Sequence, residues 1–126
     1  MSAFTALEDA ALKAICDRYA GIGDYLSPVL ATAKIRERDN TGHGFYTRFD
    51  VDRALPLPPE SIPPVGSGPI AHMVDMGVGN MMGFILWFAN GYPDCLEGFQ
   101  YGASSGETVD LKSRDLRTLR FTSIEW

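Results

Sequence analysis

Asn90-Gly91 stands between two long strand-like runs, MMGFILWFA from Met81 to Ala89 and YPDCLEGFQY from Tyr92 to Tyr101. Asn-Gly is the preferred pair for a two-residue type I′ turn, whose central residues both take positive φ. Such a turn commits the chain to an antiparallel hairpin and sets its register, so that Ala89 faces Tyr92. Counting outward without interruption, Trp87 faces Asp94, Leu86 faces Cys95, Ile85 faces Leu96, Phe84 faces Glu97, Gly83 faces Gly98 and Met82 faces Phe99. The first run is apolar on both faces, the mark of a central strand covered on each side by protein or by a second subunit.

That register puts Glu97 on one face with Cys95, Phe84, Leu86, Met82 and Phe99. A carboxylate in such surroundings costs several kcal/mol unless it finds donors, becomes neutral or borders a wet cavity. It is then either structural, satisfied by an arginine, a tyrosine hydroxyl or backbone N–H groups, or a candidate for chemistry. Gly83 opposite Gly98 leaves a notch without side chains, open to an aromatic ring such as Trp87 or Tyr92, or to the edge of a ligand.

The rest of the chain supplies what such a hairpin needs around it. Phe4, Leu7, Ala11, Ile15 and Tyr19 recur at helical spacing and predict a helix over Thr5 to Ala20, with Glu8, Asp9, Lys13 and Asp17 turned away from the stripe. Thr5 and Glu8 fit a capping box, and Gly21 fits a left-handed terminator. From Val29 the period becomes two: Val29, Ala31, Ala33 and Ile35 alternate with Leu30, Thr32, Lys34 and Arg36. After the turn-forming Asp39, Asn40, Thr41 and Gly42, Phe45, Thr47, Phe49 and Val51 share a face, which predicts a second hairpin. Leu55 to Pro69 holds six of the eight prolines and reads as a stiff surface loop rather than a regular element. Ile70 to Met76 and Leu119 to Trp126 read as further strands, and Gly102 to Ser113 as polar and unpatterned. The sum is a single α+β domain over residues 1–126, an N-terminal helix packed on an antiparallel sheet of about six strands.

With 126 residues the chain can bury a core without disulfides or metal, and Cys16 and Cys95 are expected as free thiols in a reducing compartment. The net charge of −5 argues against nucleic acid and anionic membrane as partners, since both need a positive field. The opening MSAFTALEDA lacks the basic and apolar regions of a secretory signal, and the longest apolar run is about half a membrane span. A cytoplasmic location is expected.

The constellations that could carry chemistry are incomplete. Cys95 and His72 with Glu97 or Asp75 contain the parts of a cysteine nucleophile site, but His72 and Asp75, three residues apart on a strand, point to opposite faces. No catalytic set is expected. Glu97, Tyr101, His72 and Cys95 remain as candidate ligand-binding residues. His43, His72, Cys16 and Cys95 lack the paired spacing of a metal site, so neither metal nor cofactor is expected. GVGNMMG, residues 77–83, leads into a strand with no helix behind it and so cannot cradle phosphate as a P-loop does. Met73, Met76, Met81 and Met82 suit an irregular core or a partner groove. Lys34, Arg36 and Arg38, with Arg48 beside them, form a basic stripe that either protects a sheet edge or docks an acidic partner.

RERDNTGHGFYTRFDV, residues 36–51, and GFILWFANGYPDCLEGFQYG, residues 83–102, resemble a group of small bacterial proteins in which a motif like RExTGxGFFT precedes a hairpin ending in LEGxTYG. The resemblance covers about half of the chain and implies a bacterial, soluble, single-domain protein; it brings no activity with it. It singles out Thr41, Gly42, Gly44, Phe45, Leu96, Glu97, Gly98 and Tyr101. Where the group continues into an acidic, tryptophan-containing tail, this chain reads ASSGETVDL. The resulting expectation is a non-enzymatic protein-binding domain, immunity-like or accessory, that forms a homo-oligomer. The competing expectation is a small-molecule binder or enzyme with a pocket around Glu97 between helix and sheet, and His72 or Tyr101 nearby.

Overall fold

The computed structural model describes residues 2–56 and 68–126. Most of the proline-rich stretch, residues 57–67, lies outside the described residues. Two helices, α1 (Ala6–Arg18) and α2 (Ala20–Ala31), are followed by six strands: β1 (Lys34–Asn40), β2 (Gly44–Asp50), β3 (Ile70–Val74), β4 (Met81–Ala89), β5 (Tyr92–Gly102) and β6 (Arg120–Glu125). The strands form one antiparallel sheet in the order β1-β2-β5-β4-β3-β6. The α+β expectation therefore holds, with the 81–89 run on an interior strand and one helix more than the sequence reading supplied.

The first helix begins as its sequence dictates. Thr5 caps it by accepting from the Glu8 N–H, and the Glu8 carboxylate accepts the Thr5 N–H at 2.8 Å in return. Leu7, Ala11, Leu12 and Ile15 are buried. The expected end at Gly21 is not where the helical segment finishes: after a break at Tyr19 a second helix runs on to Ala31, so Val29, Leu30 and Ala31 are helical and not the start of a strand. Ile22, Leu26, Val29 and Leu30 are all buried, and their spacing is that of one helical face. Val29 and Ala31 also begin the alternation that continues through Ala33 and Ile35, and over so short a stretch the two periods are hard to tell apart. Pro28 inside the helix adds to the ambiguity, since proline normally argues against helix interiors.

The hairpin turn is as expected. Asn90 has φ 52° and Gly91 φ 85°, the two left-handed residues of a type I′ turn. Ala89 faces Tyr92 and Phe88 faces Pro93. Beyond that point the register departs from the simple count, because Asp94 is an extra residue on β5 and Trp87 faces Cys95. Leu86 then faces Leu96, Ile85 faces Glu97, Phe84 faces Gly98 and Gly83 faces Phe99. A bulge of one residue turns every later side chain to the other face of the sheet. Similar extra residues occur at Tyr101 further along β5, at Arg36 on β1 and at Thr122 on β6.

The two helices cover one face of the sheet, where Phe45, Phe49, Met82, Phe84, Leu86 and Leu96 join Leu7, Ala11, Leu12 and Ile15 in a single core. Leu111 is fully buried in the segment that reads as unpatterned. It is held there by amide side chains: Asn40 Nδ2 donates to the Leu111 carbonyl at 2.8 Å, and Gln100 Nε2 to that of Val109 at 2.7 Å. Asn80, also buried, donates to the carbonyl of Met76 at 2.8 Å and to Gln100 Oε1 at 2.9 Å, and accepts the Gly102 N–H at 3.2 Å.

Candidate functional site

The register shift decides where the sequence-predicted residues lie. Phe45, Thr47 and Phe49 are buried towards the helices, and Thr47 pairs with Leu96, so their neighbours Tyr46 and Arg48 face the other way, paired with Glu97 and Cys95. Glu97 is thus on the outer face of the sheet, not in the core and not between helix and sheet. Its Oε1 accepts the indole N–H of Trp87 at 3.0 Å, a side chain that is 44% exposed. The expected apolar burial fails for one reason: the uninterrupted count had no means of seeing Asp94 as an extra residue.

The outer face is built from alternate residues of four neighbouring strands. Tyr46 and Arg48 come from β2; Cys95, Glu97, Phe99 and Tyr101 from β5; Ile85 and Trp87 from β4; and Ile70 from β3, opposite Gly83. Gly83 is the notch that the sequence shows, but it is not opposite Gly98. A Cβ at Gly83 would lie 2.5 Å from Phe99 Cζ and 3.0 Å from Tyr101 Cε2, so those two rings fill the space. Gly98 opens on the core side, where the Phe45 ring fills it at 2.8 Å. The aromatic filling holds, with Phe99, Tyr101 and Phe45 in place of Trp87 or Tyr92.

The exposed aromatic side chains are held in place. Tyr101 is 55% exposed, and its ring meets that of Phe99 edge to face at 5.3 Å. Arg48 stacks over the Tyr46 ring at 5.2 Å. The Glu97 charge beside Tyr46 raises that hydroxyl above its ordinary range, with some help from burial. Cys95 is buried among these groups, and burial pushes its thiol up, away from the reactive thiolate. Charged pairs of both signs lie around the patch: Arg36 with Asp50 at 2.7 Å, Arg48 with Asp39 at 4.0 Å and His72 with Glu125 at 3.1 Å.

Of the four candidate ligand residues, Cys95, Glu97 and Tyr101 stand on one strand and one face. His72 is two strands away and engaged with Glu125. Asp75 occupies a turn at φ 61° and pairs with Arg120. No nucleophile and base are brought together by this arrangement. Among the described residues no three of His, Cys, Asp and Glu converge as metal ligands, and no buried side-chain polar atom lacks a partner.

Among the described residues the buried carboxylate is Glu8, which its place on the helix turns away from the apolar stripe. Glu8 is 1% exposed. It accepts from Arg38 Nη2 at 2.8 Å and from the Thr47 hydroxyl while still closing the capping box. Arg38 is accordingly not part of an exposed basic stripe. The extra residue at Arg36 turns Arg38 to the face of Thr47 and hence to the helices. The capping box was the available signal, since its N3 carboxylate must lie close to the helix start, but a cap alone does not reveal burial.

Among the described residues, two open grooves lie elsewhere. One, of about 520 Å³, runs between the helices past Phe4, Leu12, Leu30 and Cys16; burial pushes the Cys16 thiol up to about 11. The other, about 400 Å³, lies among Met76, Val78, Glu107 and Val109. Glu97 lines neither. No helix of the described residues is long and apolar enough to cross a membrane. Comparison of the chain with protein-family models, with curated proteins and with solved structures finds no match.

Proposed function

We propose that the chain is a non-enzymatic protein-binding domain, of the immunity-like or accessory kind, and that partners dock on the outer face of its sheet. One observation carries this reading: Trp87 and Tyr101 are exposed on paired strands, Trp87 donating to Glu97 and Tyr101 meeting Phe99 edge to face, with Arg48 and Tyr46 on the same face. Trp, Tyr and Arg are the residue types that supply most of the binding energy at protein interfaces. Aromatic side chains already held in one rotamer lose little entropy on docking.

An apolar centre with charged pairs of both signs around it is the anatomy of a protein interface, and a poor fit to a polyanion. Self-association through the same face belongs to this reading, as does a reducing, cytoplasmic setting, which the free thiols of Cys16 and Cys95 support.

The test is photocrosslinking in cells that make the protein, with p-benzoylphenylalanine in place of Trp87 or, as a control on the helical side, of Lys13. Discrete protein adducts at position 87 and none at position 13 are expected. No adduct at position 87, or equal adducts at both, overturns the proposal.

A further inference from the structure

Resting on that reading of the outer face, we infer that its occupant is a second copy of this chain, stacked sheet against sheet about a two-fold axis. Both edges of the sheet are unsuited to strand addition. β1 carries the extra residue Arg36 and charges at Lys34, Arg36, Glu37, Arg38 and Asp39; β6 carries the extra residue Thr122, with Arg120 and Glu125 near its ends. Bulges and charges of this kind are how natural sheets stop their edges from pairing with another chain. Association is thereby directed to the face.

The size of the face fits a copy. Six strands about 4.8 Å apart and about seven residues long, at about 3.3 Å per residue, span roughly 650 Å² in projection. A standard interface takes about 800 Å² from each partner, so the whole sheet face is about one protomer's share. A single docked peptide strand would leave most of that surface in water.

The charge pattern also fits. A two-fold interface must complement itself, and a face of one sign would repel its own copy. Here Arg36 and Arg48 are interspersed with Asp39, Asp50 and Asp94, and these already pair within the protomer. Two copies therefore meet through Ile70, Ile85, Trp87, Phe99 and Tyr101, with the Glu97 carboxylate among them held by the Trp87 indole and ion pairs at the margins.

Sedimentation equilibrium of the purified chain from micromolar to sub-millimolar concentration tests this. The wild type is expected to reach twice the monomer mass. Tyr101→Glu and Ile85→Glu, each checked for native near-ultraviolet circular dichroism, are expected to weaken the dimer at least a hundredfold, and Thr122→Pro on the edge strand less than threefold. A wild type that stays monomeric throughout overturns the inference, as does a dimer lost with Thr122→Pro but kept with Tyr101→Glu. Tyr101 is exposed, so its variant serves if Ile85→Glu fails to fold. A monomer whose position 87 still crosslinks to a different protein refutes the dimer alone; a monomer with no adducts refutes the docking face as well.

Discussion

Arg38 on β1 donates from Nη2 to Glu8 Oε1 on α1 at 2.8 Å, joining the first helix to the edge strand across 30 residues of sequence. Glu8 is almost fully buried while the Arg38 side chain is 22% exposed, so the two ends of this pair are not equivalent. Arg38→Met strands a carboxylate in the core and is expected to cost about 3 kcal/mol, in line with breaking a buried pair from one side. Glu8→Gln leaves behind a cation that can still reach water, and about 1 to 2 kcal/mol is expected. Urea denaturation of both variants checks the order.

Glu97→Gln is expected to be mild. The amide oxygen can still accept from the Trp87 indole, and as a substitution on the outer face it should change stability by less than about 0.5 kcal/mol. The charge that raises the Tyr46 hydroxyl is removed, so Tyr46 should ionise at lower pH than in the wild type. An absorbance titration of tyrosinate in the two proteins reads this directly.

Gly83→Ala is expected to destabilise by about 1 to 3 kcal/mol, the usual cost of overpacking. The new methyl would lie 2.5 Å from the Phe99 ring, which must move and take Tyr101 with it. Thermal unfolding gives the cost, and altered ring shifts of Phe99 and Tyr101 in proton NMR locate it.

Cys16 provides a pH dependence with a definite sign. Burial raises its thiol from 9.0 in the free residue to about 11 in the folded chain, so the folded state holds the proton more tightly than the unfolded one. The associated stability is fully present below pH 9 and is lost as pH rises towards 11. Cys16→Ala should flatten the stability profile in that window. The wild-type thiol should also react slowly with iodoacetamide near pH 8 until the chain is unfolded.

The parts of this fold that were legible in the sequence are those set by local chemistry. The capping box at Thr5 and Glu8, the Asn90-Gly91 turn and the alternation of Phe45, Thr47 and Phe49 are decided within a few residues, and each is found as expected. Facing direction is a different kind of property, because it accumulates along a strand. Asp94 and Arg36 each add one residue, and each reverses the face of the residues that follow it, on β5 as far as a second extra residue at Tyr101, so Glu97 and Arg38 exchange the roles that the alternation assigned to them. Of the four candidate residues Cys95, Glu97 and Tyr101 share one strand and one face and His72 stands two strands away, and the alternation had assigned that face to the core.

The second helix escaped for a different reason. Val29 and Leu30 continue the helical face of Ile22 and Leu26 while Val29 and Ala31 begin a strand alternation, and Pro28 argues against a helix interior. Packing against α1 decides between them, and packing is not written in a window of ten residues.

Asp94 has a consequence for how this surface could be lost. Deleting that one residue would leave the Asn90-Gly91 turn intact while exchanging the two sides of β5 beyond it, sending Glu97, Phe99 and Tyr101 inward and Leu96 out to solvent. No point substitution among those residues could alter the outer face so completely. The identity of the surface is therefore stored at a position outside it, and the loss of a single codon would exchange the outer face and the core side of the strand together.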